Sequence, residues 1–184
     1  ERRKQTTLTT TTSIDELLGC RPDVVIECAG QGALAAHGEA ILAAGIPLVA
    51  ASVGALSDDQ LRRRLSIAAE KGCSRLIIPT GGLAGTDTLG AAATVGLESV
   101  LYRGSGRPIW WSLDADAPKQ ALFKGTAREA CRLFPKNANV VAAVSLNGIG
   151  FDATTVELVA DPDLRIYRHE IFASGRFGNL QTRV

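Results

Sequence analysis

The chain has 184 residues, 46% of them hydrophobic, and a formal net charge of +1. That is ample apolar material for a packed core, in one domain or parts of two. With so little net charge, no basic face and no RNP-like aromatic motif, nothing points to a nucleic-acid partner. No apolar run approaches the roughly 18 residues that span a bilayer, and the first residues lack the apolar stretch of a signal peptide, so a soluble cytoplasmic protein without a membrane partner is expected. Cys20, Cys28, Cys73 and Cys131 are scattered, with no Cys-x-x-Cys pair, which fits a reducing compartment. The two histidines, His37 and His169, lie far apart in the chain, and no metal site is expected.

Residues 1–12, with their threonine run, carry no helical period and receive no role. Asp23 to Cys28 is a β-branched run ending in Ala29-Gly30, a buried parallel strand that reaches a loop. A helix from about Ala33 to Ala44 follows, stopped by Gly45, and Ile46 to Ala50 reads as the next strand. Ser57 with Gln60 three residues on has the form of a capping box. Asp58 and Asp59 complement the helix start, and Gly72 in the C′ position ends the helix. Arg75 to Ile78 is a further strand, closed by Pro79 and a flexible turn through Gly85. Strand and helix alternate, as in a parallel α/β sheet.

Beyond this point the pattern changes. A helix from about Thr88 to Gly96 and a strand near Ser99 to Tyr102 precede a polar segment through Lys119 that holds Trp110 and Trp111. Within it, Gly104-Ser105-Gly106-Arg107-Pro108 lacks the third glycine of a dinucleotide-binding turn and reads as a loop. Thr126 and Glu129 form a second capping box, and Asn137 is placed to cap a helix running towards Leu146. Thr154 to Ala160, Arg165 to Ala173 and Phe177 to Val184 read as three strands, the first two joined by Asp161-Pro162-Asp163 and the last two turning at Ser174-Gly175. The expectation is an α/β fold: a parallel-sheet unit over residues 1–80, then an α+β unit over residues 81–184, with the boundary near Pro79 to Gly85.

The run Phe134-Pro135-Lys136-Asn137-Ala138-Asn139-Val140, with His169-Glu170 downstream, places a few polar groups in an apolar, Gly- and Ala-rich context. A small-molecule site needs that arrangement. Strand alternation puts Tyr167, His169, Ile171 and Ala173 on one face, the less charged one. Ala29-Gly30 and Ser52-Val53-Gly54-Ala55 follow strands at the carboxyl edge, where open α/β sheets bind ligands.

Gly125 to Val140, then Gly148-Ile149-Gly150-Phe151-Asp152 and His169-Glu170-Ile171, resemble the catalytic half of the L-aspartate dehydrogenase family. Upstream, Ser52-Val53-Gly54-Ala55-Leu56 and Pro79-Thr80-Gly81-Gly82 with Asp87 are similar to its cofactor-domain and junction motifs, so the resemblance runs from about Asp23 to Phe177. It implies a partial Rossmann-like domain, then a substrate and dimerisation domain. The implied reaction is NAD- or NADP-dependent oxidation of L-aspartate to iminoaspartate by a homodimer, the imine feeding NAD biosynthesis or hydrolysing to oxaloacetate. No G-x-G-x-x-G opens the chain and the family's Asn-Pro-Lys-Thr-Ser-like tail is absent, so a fragment of a longer enzyme is expected.

On this resemblance His169 is the catalytic acid/base, against the alternative of a core histidine bonded to a carbonyl. Asn139 contacts the cofactor, an amide able to hold a carboxamide. Gly82 stands where the family usually has alanine and Thr80 where it has serine. Ala29, Gly30, Ser52, Val53, Gly54 and Gly82 complete the cofactor-binding set. Lys136 and Asn137 are candidate substrate ligands: Lys136 either meets a substrate carboxylate or is solvated, and Asn137 has a cap as its alternative role. Arg128, Glu27 and Asp87 read as structural, and Asp152 as a turn residue or an orienting one. Another two-domain dehydrogenase of homoserine dehydrogenase type, or a catalytically silent relative that only binds a ligand, remain the alternatives.

Overall fold

A computed structural model describes residues 9–184; most of the opening threonine-rich segment lies outside them. The first half contains α1 (Ile14–Gly19), β1 (Val25–Glu27), α2 (Gln31–Ala43), β2 (Leu48–Ala50), a 3-10 turn (Val53–Ser57), α3 (Asp59–Lys71) and β3 (Leu76–Ile77). The three strands form a parallel sheet in the order β1-β2-β3. They are shorter than the apolar runs that announce them, because pairing stops where the chain turns out towards the carboxyl edge.

The packing of α2 and α3 explains two glycines. A Cβ on Gly38 would come within 2.9 Å of Leu65 Cδ2 and 3.1 Å of Leu34 Cδ1, so the glycine lets fully buried Leu34 and Leu65 close over α2. At Gly72 a Cβ would lie 2.0 Å from the Leu42 carbonyl oxygen. Gly72 is therefore required by close approach and not by handedness: its φ is −84°, it is the C-cap and not C′, and the left-handed residue is Cys73 (φ 50°). The start of α3 also differs from the expected capping box. Asp58 is the N-cap, its carboxylate accepting from the Gln60 and Leu61 N–H groups, while the Ser57 hydroxyl donates to the Gly54 carbonyl inside the 3-10 turn.

The second half contains α4 (Thr86–Val95), β4 (Leu97–Gly106), a 3-10 turn (Pro108–Trp111), β5 (Gln120–Thr126), α5 (Ala127–Leu133), α6 (Ala138–Asn147), β6 (Thr155–Ala160), β7 (Arg168–Gly175) and β8 (Gly178–Arg183). The sheet order is β5-β6-β4-β7-β8, antiparallel except for the central β4/β6 pair. β4 runs through Gly104-Ser105-Gly106, which are strand and not loop, and β5 arises in the segment without a periodic signal. The β7/β8 hairpin turns at Arg176-Phe177, two residues later than expected, because Gly175 pairs with Gly178 and Gly178 (φ 108°) supplies the left-handed position. Thr126 and Glu129 do form a reciprocal capping box on α5.

One face of this sheet, carrying Val100, Tyr102, Val156, Leu158, Ile171 and Ala173, is buried in the core with Ala138, Val141, Ala142 and Val144 of α6. Each such Val, Leu or Ile contributes about 1.5–3 kcal/mol relative to exposure. The opposite face holds half-buried Leu101, Arg103, Glu157, Val159, Glu170 and Phe172.

Candidate active site

α6 packs against the 3-10 turn that follows β2, which brings the two sheets together. A Cβ on Gly54 would lie 2.6 Å from Ala138 Cβ and 2.7 Å from Gln31 Nε2, so the contact depends on glycine at that position. Beside it opens a cavity of about 140 Å³. Ala51 and Val53 after β2, Pro79 to Leu83 after β3, Asn139, Val140 and Ala143 on α6, and His169 on β7 line it. Only two of these side chains, Asn139 and His169, carry strong hydrogen-bonding groups besides the Thr80 hydroxyl.

His169 is half-buried and sits opposite Gly104 across the β4/β7 ladder. Its Nδ1 is 2.8 Å from the hydroxyl oxygen of Tyr102, and its ring lies 4.8 Å, centroid to centroid, from that of Tyr167. Burial pushes its pKa below the ordinary histidine value, since removing water disfavours the imidazolium. His169 is thus a neutral imidazole at pH 7, with Nε2 as the nitrogen left for the cavity.

Asn139 lies in the first turn of α6, and its Oδ1 accepts the Gly54 N–H at 2.9 Å. That bond fixes the amide so that Nδ2 is left to donate elsewhere. Val53 and Gly82 also face the cavity; a Cβ on Gly82 would meet nothing within 4 Å, so the space above it is open.

The remaining expected cofactor residues surround a second centre. The Glu27 carboxylate accepts from the N–H groups of Ala29 (2.8 Å), Gly30 (2.9 Å) and Ser52 (3.0 Å) and from the Ser52 hydroxyl (2.9 Å). Burial alone would raise its pKa, but the bonds from Ser52, Gly30 and Ala29 together outweigh that and hold it below the usual glutamate value. Ala29, Gly30 and Ser52 therefore shape the carboxyl edge of the sheet with their N–H groups already engaged. Gly54 likewise gives its N–H to Asn139.

Lys136 and Asn137 are not in the cavity. They line a neighbouring aromatic hollow with Trp110, Trp111 and Phe134, and Asn137, although it is the N-cap of α6, makes no capping bond: its Nδ2 donates to the Tyr167 hydroxyl at 2.8 Å. Asp152 forms a two-pronged ion pair with Arg128, which also donates to the Ser57 carbonyl and meets Asp59. Arg128 so links the 3-10 turn and α3 to the loop before β6.

The family described as "Aspartate dehydrogenase, C-terminal" matches residues 87–184, and "Homoserine dehydrogenase, NAD binding domain" matches residues 1–79. The chain is 50% identical over 175 residues to L-aspartate dehydrogenase 1 of Bordetella pertussis, covering 94% of this chain and 68% of that protein. The chain belongs to the aspartate dehydrogenase family. To the L-aspartate dehydrogenase of Pseudomonas aeruginosa it is 44% identical over 172 residues, 89% of this chain and 64% of that one. A crystal structure of aspartate dehydrogenase from Thermotoga maritima superposes with a TM-score of 0.82 at 25% identity, over all of this chain and 77% of that one. The fold is the α/β arrangement expected, a Rossmann-like parallel sheet followed by an α+β unit.

A family member needs room for a nicotinamide nucleotide, and the residues present fit one: the floor is small-residue backbone, the space over Gly82 is open, and Asn139 keeps an unengaged donor. No group of three or more His, Cys, Asp or Glu side chains able to hold a metal occurs among the described residues, and no described helix is long and apolar enough to cross a membrane. Tyr102, Tyr167 and Gly104 escaped the sequence reading as site residues. Tyr167 shares the alternation of His169, but the place of Tyr102 depends on strand register, which no local pattern encodes.

Proposed function

We propose that the protein oxidises L-aspartate to iminoaspartate with NAD⁺ or NADP⁺ as acceptor. The observation that carries this reading is the convergence of His169 and Asn139 on one small-residue cavity in a chain of this family. A nicotinamide nucleotide held by these residues would supply the acceptor for the hydride that leaves the substrate Cα. The neutral amine gives up one proton and keeps the other as the C=N bond forms, so the products would be iminoaspartate, reduced nucleotide and one proton, and water would then convert the imine to oxaloacetate and ammonia. His169, neutral at pH 7, takes a proton at the amine or from the water that attacks the imine. Asn139 orients the carboxamide with its Nδ2 donors, and Val53, Gly82 and the small edge residues Ala29, Gly30, Ser52 and Gly54 allow close approach. For Lys136, which lines the neighbouring hollow and not the cavity, the proposed role is to draw the substrate carboxylate towards the site from outside.

Residues 1–80 form the nucleotide unit and residues 81–184 the substrate and dimerisation unit, a division supported by the change of sheet between β3 and β4. The partner is a second copy. The sheet face away from the helices carries Leu101, Val159 and Phe172, with Arg103 paired to Glu157, a surface suited to isologous pairing. The cytoplasm, with its nucleotide pool, suits the reaction.

The test is a substrate panel. The full-length protein should reduce NAD⁺ or NADP⁺ with L-aspartate at alkaline pH and prefer it to homoserine, malate and glutamate. Equal turnover of homoserine would move the assignment to the homoserine dehydrogenase type, and no turnover with any amino acid would favour a silent relative.

A further inference from the structure

Behind His169 the polar side chains continue away from the cavity. Tyr102 is fully buried on β4, yet its hydroxyl has found Nδ1 of His169 at 2.8 Å. Tyr167, in the segment before β7, brings its hydroxyl to the same side of Gly104. Gly104 makes this possible: a Cβ there would lie 2.6 Å from the Tyr167 hydroxyl oxygen and 2.9 Å from that of Tyr102. At the far end the Asn137 amide donates to Tyr167. Each of these groups is part-buried or buried, so each hydroxyl proton must find an acceptor inside the protein.

The direction of the Tyr102–His169 bond follows from burial. Tyr102 is fully buried and Nδ1 of His169 is the partner of its hydroxyl, so the Tyr102 proton is directed to Nδ1. A neutral imidazole that accepts at Nδ1 carries its own proton on Nε2. We propose that Tyr102 is a positioning residue that holds neutral His169 in the Nε2–H tautomer, presenting a donor and not a lone pair to the cavity. His169 can then meet a carboxylate or carbonyl oxygen of the substrate directly. To act as a base it requires the hydrogen bonds behind it to reverse, Nδ1–H then donating to Tyr102. The catalytic part of this inference rests on the proposed dehydrogenase reading; the tautomer does not.

The chain holds only two histidines, and His37 is exposed on α2, so nitrogen-15 NMR of histidine-labelled full-length protein, with His37→Gln for assignment, reads the His169 tautomer without any substrate. The wild type above the imidazole pKa should show Nε2–H. Tyr102→Phe, which removes the proton donated to Nδ1, should give a mixture of tautomers. Gly104→Ala, which displaces both hydroxyls, should resemble Tyr102→Phe. In the aspartate assay Tyr102→Phe should lower kcat by about tenfold or more with little change in nucleotide KM, a wrong tautomer being costly in catalysis. A wild-type Nδ1–H signal, or a tautomer unmoved in folded Tyr102→Phe, overturns the proposal. The predicted tautomers in a protein that turns over no amino acid would uphold it and reject only the dehydrogenase reading.

Discussion

Glu27 takes four hydrogen bonds on one carboxylate, three of them from backbone N–H groups that have no other acceptor among the described residues. Glu27→Gln keeps one acceptor oxygen but turns an NH₂ towards the Ser52 N–H, leaving donor against donor. We expect a loss of about 1–3 kcal/mol at pH 7, which at this chain length lowers Tm by roughly 2–4 °C per kcal/mol. Because the folded-state pKa is depressed, the stabilisation is present above the ordinary glutamate pKa and disappears as pH falls through the folded value. Melting curves of the two proteins should therefore converge in acid, and a gap that stays constant down to pH 3 would show that charge plays no part. The sequence marks Glu27 only as an acid at a strand end, since two of its four bonds come from the adjacent turn and the other two from Ser52, which only the pairing of β1 with β2 brings in.

Among the elements, the best-read ones were those whose signals are local. The capping box on α5 and the stop at Gly45 (φ 83°) depend on a few adjacent residues and formed as expected. At α3 two adjacent side chains compete for the cap, and Asp58 wins because Ser57 is held by the 3-10 turn. β5 was illegible because it is an edge strand with a register shift between Ala121 and Phe123, which breaks the period-two pattern. Two glycines in the site elements give opposite predictions. Gly54→Ala forces a methyl into Ala138 and Gln31, so it should cost about 1–3 kcal/mol and raise the nucleotide KM. Gly82→Ala enters open space without a left-handed φ and should stabilise by about 0.4–1 kcal/mol while leaving nucleotide KM unchanged or lower. Thermal melts and KM values for both variants check this, and a benign Gly54→Ala would refute the close-contact account of the junction.

For the molecule as a whole, two sheets of different character meet through Asn139 and Gly54 on one side and Arg128 with Asp59 and Asp152 on the other. The change from parallel to mixed sheet was legible as a change of rhythm, whereas the cavity between the sheets was legible only through the motif around Asn139 and His169. If the open face of the second sheet is a subunit interface, multi-angle light scattering should give a dimer or larger, and a strict monomer at high concentration would contradict it. The central claim is that His169 moves protons in aspartate oxidation, and its most direct test is steady-state kinetics of His169→Ala with L-aspartate and nucleotide. The prediction is a kcat lower by about 10²–10⁴-fold with nucleotide KM and folded fraction little changed. An enzyme that melts early yet turns over aspartate normally would reduce His169 to a core histidine.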